Sequence, residues 1–265
     1  MSKQPSSQGH FISRKLDRFF TDVYEVSRFT RRFFKEAFRR PFEVNEIIKQ
    51  CYEIGYRSLG LIVLTGFITG LVFTKQSRPS LSEFGAASWL PSLVAIAMVR
   101  ALAPLVTAII CAGKVGSSIG AELGSMKVTE QIDAMEVSAV NPFKFLVVSR
   151  VLATTFMIPL LMMFTAFVGL MGSFLDVHLQ EQTSLSTFVH SAFQKISFLD
   201  FYSSIARSLV FGFTIGMVGT YKGYHTSGGT QGVGRAANSA VVMSMFLIFI
   251  EEILIVQIVN SLRSA

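Results

Sequence analysis

Five apolar runs, each close to the length of a bilayer crossing, constrain this chain more than any other feature. A helix needs roughly 20 predominantly apolar residues to cover the hydrocarbon. The run 58–74, SLGLIVLTGFITGLVFT, carries no charge and is extended on its N-terminal side by 51–56. The run 89–113 is broken only by Arg100, Pro91 and Pro104, and 151–175 has no charge but contains Pro159. Arg207 interrupts 203–221, and Glu251 and Glu252 interrupt 236–262. Polar and Gly residues survive in such runs where neighbouring helices cover them. The expected fold is therefore an all-α polytopic membrane protein with five transmembrane helices in one bundle. Gly66 with Gly70, and Gly212 with Gly216, form GxxxG pairs, while Gly116, Gly120 and Gly124 recur every four residues. Small residues at that spacing let helix backbones approach closely.

Composition agrees. Of 265 residues 51% are hydrophobic and 15% charged, against about 25% charged in a soluble domain. Cys51 and Cys111 form no CxxC pattern, and His10, His178, His190 and His225 are scattered, so neither a disulfide framework nor a metal site is expected. No GxxxxGK[ST] phosphate loop occurs, so the chain is expected to hold no nucleotide and no other cofactor of its own.

The net charge of +7 is uneven: residues 1–50 hold 11 Lys/Arg against 6 Asp/Glu, and the other 215 hold 13 against 11. Phe19, Phe20, Phe29, Phe33, Phe34 and Phe38 alternate there with Arg28, Arg31, Arg32, Arg39 and Arg40. Residues 1–50 thus read as a basic amphipathic arm, ahead of a permease domain over 51–265. Such a helix lies on an anionic membrane face, each Lys or Arg contributing about 1 kcal/mol; the alternative is a soluble helix packed on a neighbour. No apolar core follows a basic start, so a secretory signal is not expected. A nucleic-acid partner is set aside, because the apolar runs dominate the rest of the chain. With the N-terminus cytoplasmic, the inner segments hold 18 Lys/Arg and the outer ones 4. The positive-inside rule then places the C-terminus outside.

Between the second and third runs, 122–137 reads ELGSMKVTEQIDAMEV. Val128, Ile132 and Met135 share one helical face, and Thr129, Asp133 and Glu136 another. Lys127 is expected to pair with Glu130 at i, i+3, and Asn141-Pro142 marks the break that follows. This short cytoplasmic helix is either a docking element for a soluble partner or a solvated loop helix.

Three blocks carry a resemblance. AGKVGSSIGAELGSMKVTEQIDAMEVSAVNPFKFLVVSR, GYHTSGGTQGVGRAANSAVVMS and YEIGYRSLGLIVLTGFITGLVF resemble the signature segments of the MlaE/YrbE family, in order over about residues 52–259. These are permeases of ABC-type phospholipid transporters of the inner membrane that work with Mce-domain proteins. The resemblance implies a homodimer, a separate ABC ATPase that binds ATP and Mg, an Mce-domain substrate-binding partner, and glycerophospholipid held between two permeases. It makes the loop helix a coupling helix, with Glu122, Met126, Lys127, Glu130, Gln131, Asp133 and Met135 facing the ATPase. It also sets Phe73, Gln76, Leu81, Phe84 and Arg100 around the lipid cavity. The family pattern often has an acid after the Arg of the second span, whereas here Ala101 follows Arg100. Lys114 replaces an Arg, Arg207 replaces a Lys, Glu252 stands for an Asp and Glu251 is additional.

A charge at the bilayer centre costs roughly 2.5–3.5 kcal/mol on insertion scales and should face the protein interior. Arg100 is expected to pair with Glu251 or Glu252, or to meet a lipid phosphate. Arg207, at the start of its run, is expected to snorkel toward an interface. Two other functions remain open at this point: a secondary transporter or channel, which would want internal repeats, and a membrane-embedded lipid enzyme, which would want clustered His, Asp or Glu.

Overall fold

The computed structural model describes residues 7–40 and 42–264, with side chains from 20 to 263 apart from 22 and 41. The side chain of Phe19 lies outside the described residues. The chain forms two units, Met1–Phe42 and Glu43–Ala265. The first holds α1 (Ser7–Ala37), with Lys35 in its last turn, where a cation complements the helix dipole. Phe20, Tyr24 and Phe34 on it are exposed, and the Phe33 and Phe34 rings meet edge to face at 5.3 Å.

The second unit carries, among the described residues, five helical stretches long and apolar enough to cross a membrane: Val44–Glu83, Ala87–Val128, Phe143–Glu181, Phe198–Tyr224 and Gly229–Arg263. The first is α2 (Val44–Glu83), so residues 44–50 form the opening turns of a span helix. Its 40 residues reach about 60 Å at 1.5 Å per residue, twice the hydrocarbon thickness of about 30 Å. Both ends therefore project beyond the charge-free run.

The second stretch is not one regular helix. It comprises α3 (Leu90–Ala97), a π-turn over Met98–Leu102, α4 (Ala103–Cys111), a second π-turn over Ala112–Gly116, and α5 (Ser117–Val128). A corner then leads to α6 (Gln131–Val137). A third π-turn, Phe143–Val148, opens the third span, which continues as α7 (Ser149–Glu181). The short α8 (Leu185–Phe193), absent from the sequence expectation, precedes α9 (Phe198–Tyr224) and α10 (Gly229–Ser264). The end of the bundle where α2 begins is called proximal here, and the opposite end distal.

Close backbone approach sets the packing. The Gly66–Gly70 face of α2 lies on α7: a Cβ on Gly70 would collide with the Gly169 carbonyl, and the Ser173 hydroxyl donates to Gly70 O at 3.1 Å. Thr107 and Thr165 share a buried hydrogen bond of 2.6 Å between the second and third spans. α9 runs parallel to the second span, with Ser204 beside Val99 and Gly223 beside Leu123. α10 runs antiparallel to α5, with Ala236 and Ala240 against Gly120. The predicted glycine contacts thus form. Apolar side chains fill a proximal cluster around Ile62, Ile119, Leu123, Phe211 and Ile215. A distal cluster surrounds Leu90, Val94, Met98 and Val177, closed by Phe188 and Ala192 of α8.

Replacing Gly70 by Leu should lower stability by about 1–3 kcal/mol or more, the range for overpacking, because the obstacle is backbone. The matching Gly60→Leu has nothing within 4 Å of its added Cβ and should be neutral. Thermal unfolding of the two variants in one detergent checks this, and equal midpoints would contradict it.

Candidate functional site

Polar groups gather at each end of the bundle, and the distal cluster starts from a proline. Pro104 has no N–H to give the carbonyl four residues back, that of Arg100. Within the membrane such a carbonyl needs another donor. The Arg207 guanidinium of α9 supplies it at 2.5 Å, and the Ser204 hydroxyl donates to Val99 O at 2.5 Å. The π-turn at Met98–Leu102 is the local rearrangement that presents these carbonyls.

Arg207 is buried, and its Nη1 also reaches Glu252 of α10 at 2.7 Å. It is an interior group and does not snorkel. Glu251 accepts instead from the Thr214 hydroxyl at 2.6 Å. The expected pairing of Arg100 with Glu251 or Glu252 does not form. Arg100 pairs with Asp200: Nη2 donates to Oδ2 at 2.9 Å, and Nε lies 2.7 Å from Oδ1 as an ion-pair contact without hydrogen-bond alignment. Asp200 also receives Arg263 from the end of α10. Its side chain is 1% exposed. Asp200 closes a capping box on α9 as well: Ser197 N–H donates to its carboxylate at 3.0 Å, and its own N–H donates to Ser197 Oγ at 3.4 Å. One carboxylate thus joins three spans. A further tie lies nearby, where Arg78 grips Asp176 at 2.7 Å and Glu181 at 2.5 Å.

The other lipid-path residues lie on α2 and just after it. Phe73 and Leu81 are half-buried against the distal cluster. Gln76 is exposed, and Phe84 is 84% exposed. None of these five, Arg100 included, lines the proximal cavity described below.

At the proximal end the expected single helix over 122–137 is two. α5 ends at Val128 and Glu130 takes φ +59°, a left-handed conformation uncommon for a residue with a Cβ. The chain therefore turns a corner before α6. Lys127 pairs with Asp133 at 2.8 Å, not with Glu130, because the corner destroys the i, i+3 helical spacing. Ile132 is buried in the proximal cluster, and Met126 and Met135 pack beside it. These methionines hold α6 on the bundle. Glu130 at the corner is exposed, and the outward face of α6 carries Gln131, Asp133 and Glu136 together with Val137, which is 90% exposed. Glu122 points elsewhere, to the buried Arg150 of α7 at 2.7 Å.

Beside that pair lies a cavity of about 630 Å³ between the start of α2, the second π-turn with α5, and the third π-turn with α7. Sequence patterning offered no sign of it, since its walls come from three separate stretches. Asp200 carries a readable signal in the S-x-x-D capping box of Ser197–Asp200, yet it falls outside the apolar run, and nothing in the sequence pattern ties it to Arg100.

Residues 47–258 match the model of the family described as Permease MlaE. The chain belongs to that family. It is 34% identical over 249 residues, 94% of this chain and 96% of the other, to a probable ABC transporter permease protein of Rickettsia prowazekii. A probable ABC transporter permease protein of Synechocystis is 34% identical over 205 residues, 77% of this chain and 78% of that protein. A third, from Pyropia yezoensis, is 34% identical over 208 residues, 78% and 79% of the two chains. The chain is therefore a multi-pass permease subunit of the ABC class and not an enzyme, and the secondary-transporter and membrane-enzyme readings fall away. Permeases of this class work in general with an ATPase subunit.

Asp200→Asn should lower stability by roughly 2 kcal/mol. Removing one partner of a buried pair costs 3–5 kcal/mol, and both arginines here keep partial exposure, at 33% and 39%. Asn retains a capping oxygen, so the change isolates the charge. An unaltered melting midpoint would show that solvent screens the network.

Proposed function

We propose that this permease moves glycerophospholipid between the inner membrane and an Mce-domain substrate-binding partner, driven by a separate ABC ATPase. Membership of the MlaE family carries the reading, and the shape of the proximal end supports it. An acidic face on a short helix, turned sharply off the end of a long span, is suited to a soluble partner that pushes on it. In this reading Glu130, Gln131 and Asp133, with Val137 among them, meet the ATPase. Lys127 and Glu122 hold the segment to the bundle, and Met126 and Met135 seat it. ATP and Mg bind the partner subunit, and this chain holds no cofactor.

Two copies of the chain would enclose the lipid between them. Gln76 and Phe84 at the distal end of α2 are exposed in one copy, as walls of a cavity between two copies would be. Phe73 and Leu81 back them with apolar surface, which acyl chains require. The N-terminus is cytoplasmic and the C-terminus periplasmic, an orientation supported by the 18-to-4 division of Lys and Arg between the two sides. The basic face of α1 then lies against the anionic cytoplasmic leaflet.

Single cysteines at Ser125 and Ser227, in a background lacking Cys51 and Cys111, should label from the cytoplasm, and those at Ser82 and Ser184 from the periplasm. Labelling of Ser184Cys from the cytoplasmic side would reverse the topology. The double variant E130K/D133K should insert normally but lose most of its co-purifying ATPase subunit. A mismatched charge in a buried contact costs several kcal/mol. Undiminished ATPase recovery and lipid transport would move the docking surface to the 222–235 segment, the turn between α9 and α10 with its flanking helix ends. Mass spectrometry of the complex in mild detergent should find bound glycerophospholipid, and its absence would refute the substrate.

A further inference from the structure

The proximal cavity has more hydrogen-bond donors than its own acceptors use. Its carboxylates are all engaged: Glu46 accepts from Gln50 Nε2 at 2.8 Å, Glu53 pairs with Arg57 at 2.7 Å, and Glu122 with Arg150 at 2.7 Å. Lys114, in the second π-turn, lines the same space. Its ammonium donates to the Arg57 carbonyl, and no carboxylate among the described residues pairs with it. An ammonium carries three donors, so this one has capacity left. Ser58 also lines the cavity, is 1% exposed, and its hydroxyl has no partner. Arg150, 2% exposed, has its Nη1 on Leu146 O at 3.1 Å and its Nη2 on Glu122, while its Nε–H is unpartnered.

A buried hydroxyl or guanidinium N–H without a partner costs roughly 1–3 kcal/mol or more, which an acceptor entering the cavity would relieve. An occupant with oxygen acceptors fits these donors, and an anionic one fits the charge: the lining holds four cations against three carboxylates, Lys49 and Arg57 pair with Glu46 and Glu53, Arg150 with Glu122, and Lys114 is the cation left without a carboxylate. Depth narrows the choice. Ser58 is the first residue of the charge-free run of α2, and the charged residues 46–57 precede it, so the cavity sits at the height where hydrocarbon gives way to headgroups. Two π-turns border it, through Lys114 and Val115 on one side and Phe145 and Leu146 on the other. Irregular backbone at membrane depth is tolerated where it lines a cavity.

We propose that this cavity is a phosphate-binding site, in which Lys114, Ser58 and Arg150 hold the phosphate group of a ligand at the proximal leaflet. A phospholipid headgroup and a free phosphate share that chemistry, and the height of the site favours the headgroup. The site lies at the opposite end of the bundle from Phe73, Gln76, Leu81 and Phe84. It stands on geometry alone, whatever the transported substrate and whichever direction it moves.

The test uses the full chain, purified in mild detergent and stripped of lipid. Thermal stabilisation is titrated with two probes, dihexanoyl phosphatidylglycerol and inorganic phosphate, on the wild type and on Lys114→Gln and Ser58→Ala. The lipid should raise the wild-type melting midpoint saturably. Each variant should weaken it about tenfold or more, as the loss of one hydrogen bond to a charged group does. Ser58→Ala removes a buried unpartnered hydroxyl, so its unliganded midpoint should stay level or rise while binding falls, a divergence that a merely structural role would not give. Stabilisation by the lipid alone assigns the site to a headgroup, and equal stabilisation by inorganic phosphate assigns it to a soluble anion. No saturable stabilisation by either probe, or undiminished binding in both variants, overturns the proposal.

Discussion

The carbonyls of Val99 and Arg100, opened by the π-turn ahead of Pro104 and claimed by Ser204 and Arg207, determine much of the arrangement around them. In hydrocarbon an unsatisfied carbonyl costs several kcal/mol, so the proline requires a donor-bearing helix at its side. That helix is α9. Its guanidinium, once buried, needs an anion, and Glu252 of α10 provides it. In the first turn of α9, Asp200 takes both Arg100 and Arg263. Three spans are thus fixed in register by consequences of one missing N–H. Lipid offers no hydrophobic drive between helices, so such polar ties and close backbone contacts do the work that an apolar core does in water.

The spans were legible because bilayer thickness dictates them; their ends were not. Residues 44–50 carry charge and read as part of the basic arm, yet they open α2, because helix propensity persists after the hydrocarbon stops. The glycine pairs of α2 and α9 were readable as packing surfaces. Their partners were not, since Gly70 meets Gly169 and Gly216 meets Thr154, contacts separated by many residues in sequence.

The site was legible in its residue types and less so in its geometry. Glu251 and Glu252 attracted the expectation for Arg100 because they are the only acids inside the apolar runs. The carboxylate that pairs with it stands three residues before the run 203–221, where headgroup polarity meets the helix start. The corner at Glu130 left no trace at all. Neither Gly nor Pro occurs at 129–130, and it is the burial of Ile132 and Met135 against the core that holds a glutamate at positive φ. Tertiary packing overrode a helical pattern that continued without a break.

The π-turns also explain how one span serves both ends. Each residue inserted into an α-helix rotates everything beyond it by roughly 100°. Between Leu90 and Ser117 the second span takes two such turns, one holding Arg100 and the other Lys114. The first directs Arg100 to Asp200 on α9, and the second directs Lys114 to the Arg57 carbonyl on α2. A regular helix of the same sequence would turn Lys114 away from α2 once Arg100 was seated on α9. Because α5 continues directly from the second π-turn to the corner at Glu130, any rotation absorbed or released at that turn reorients α6 and the cavity wall together.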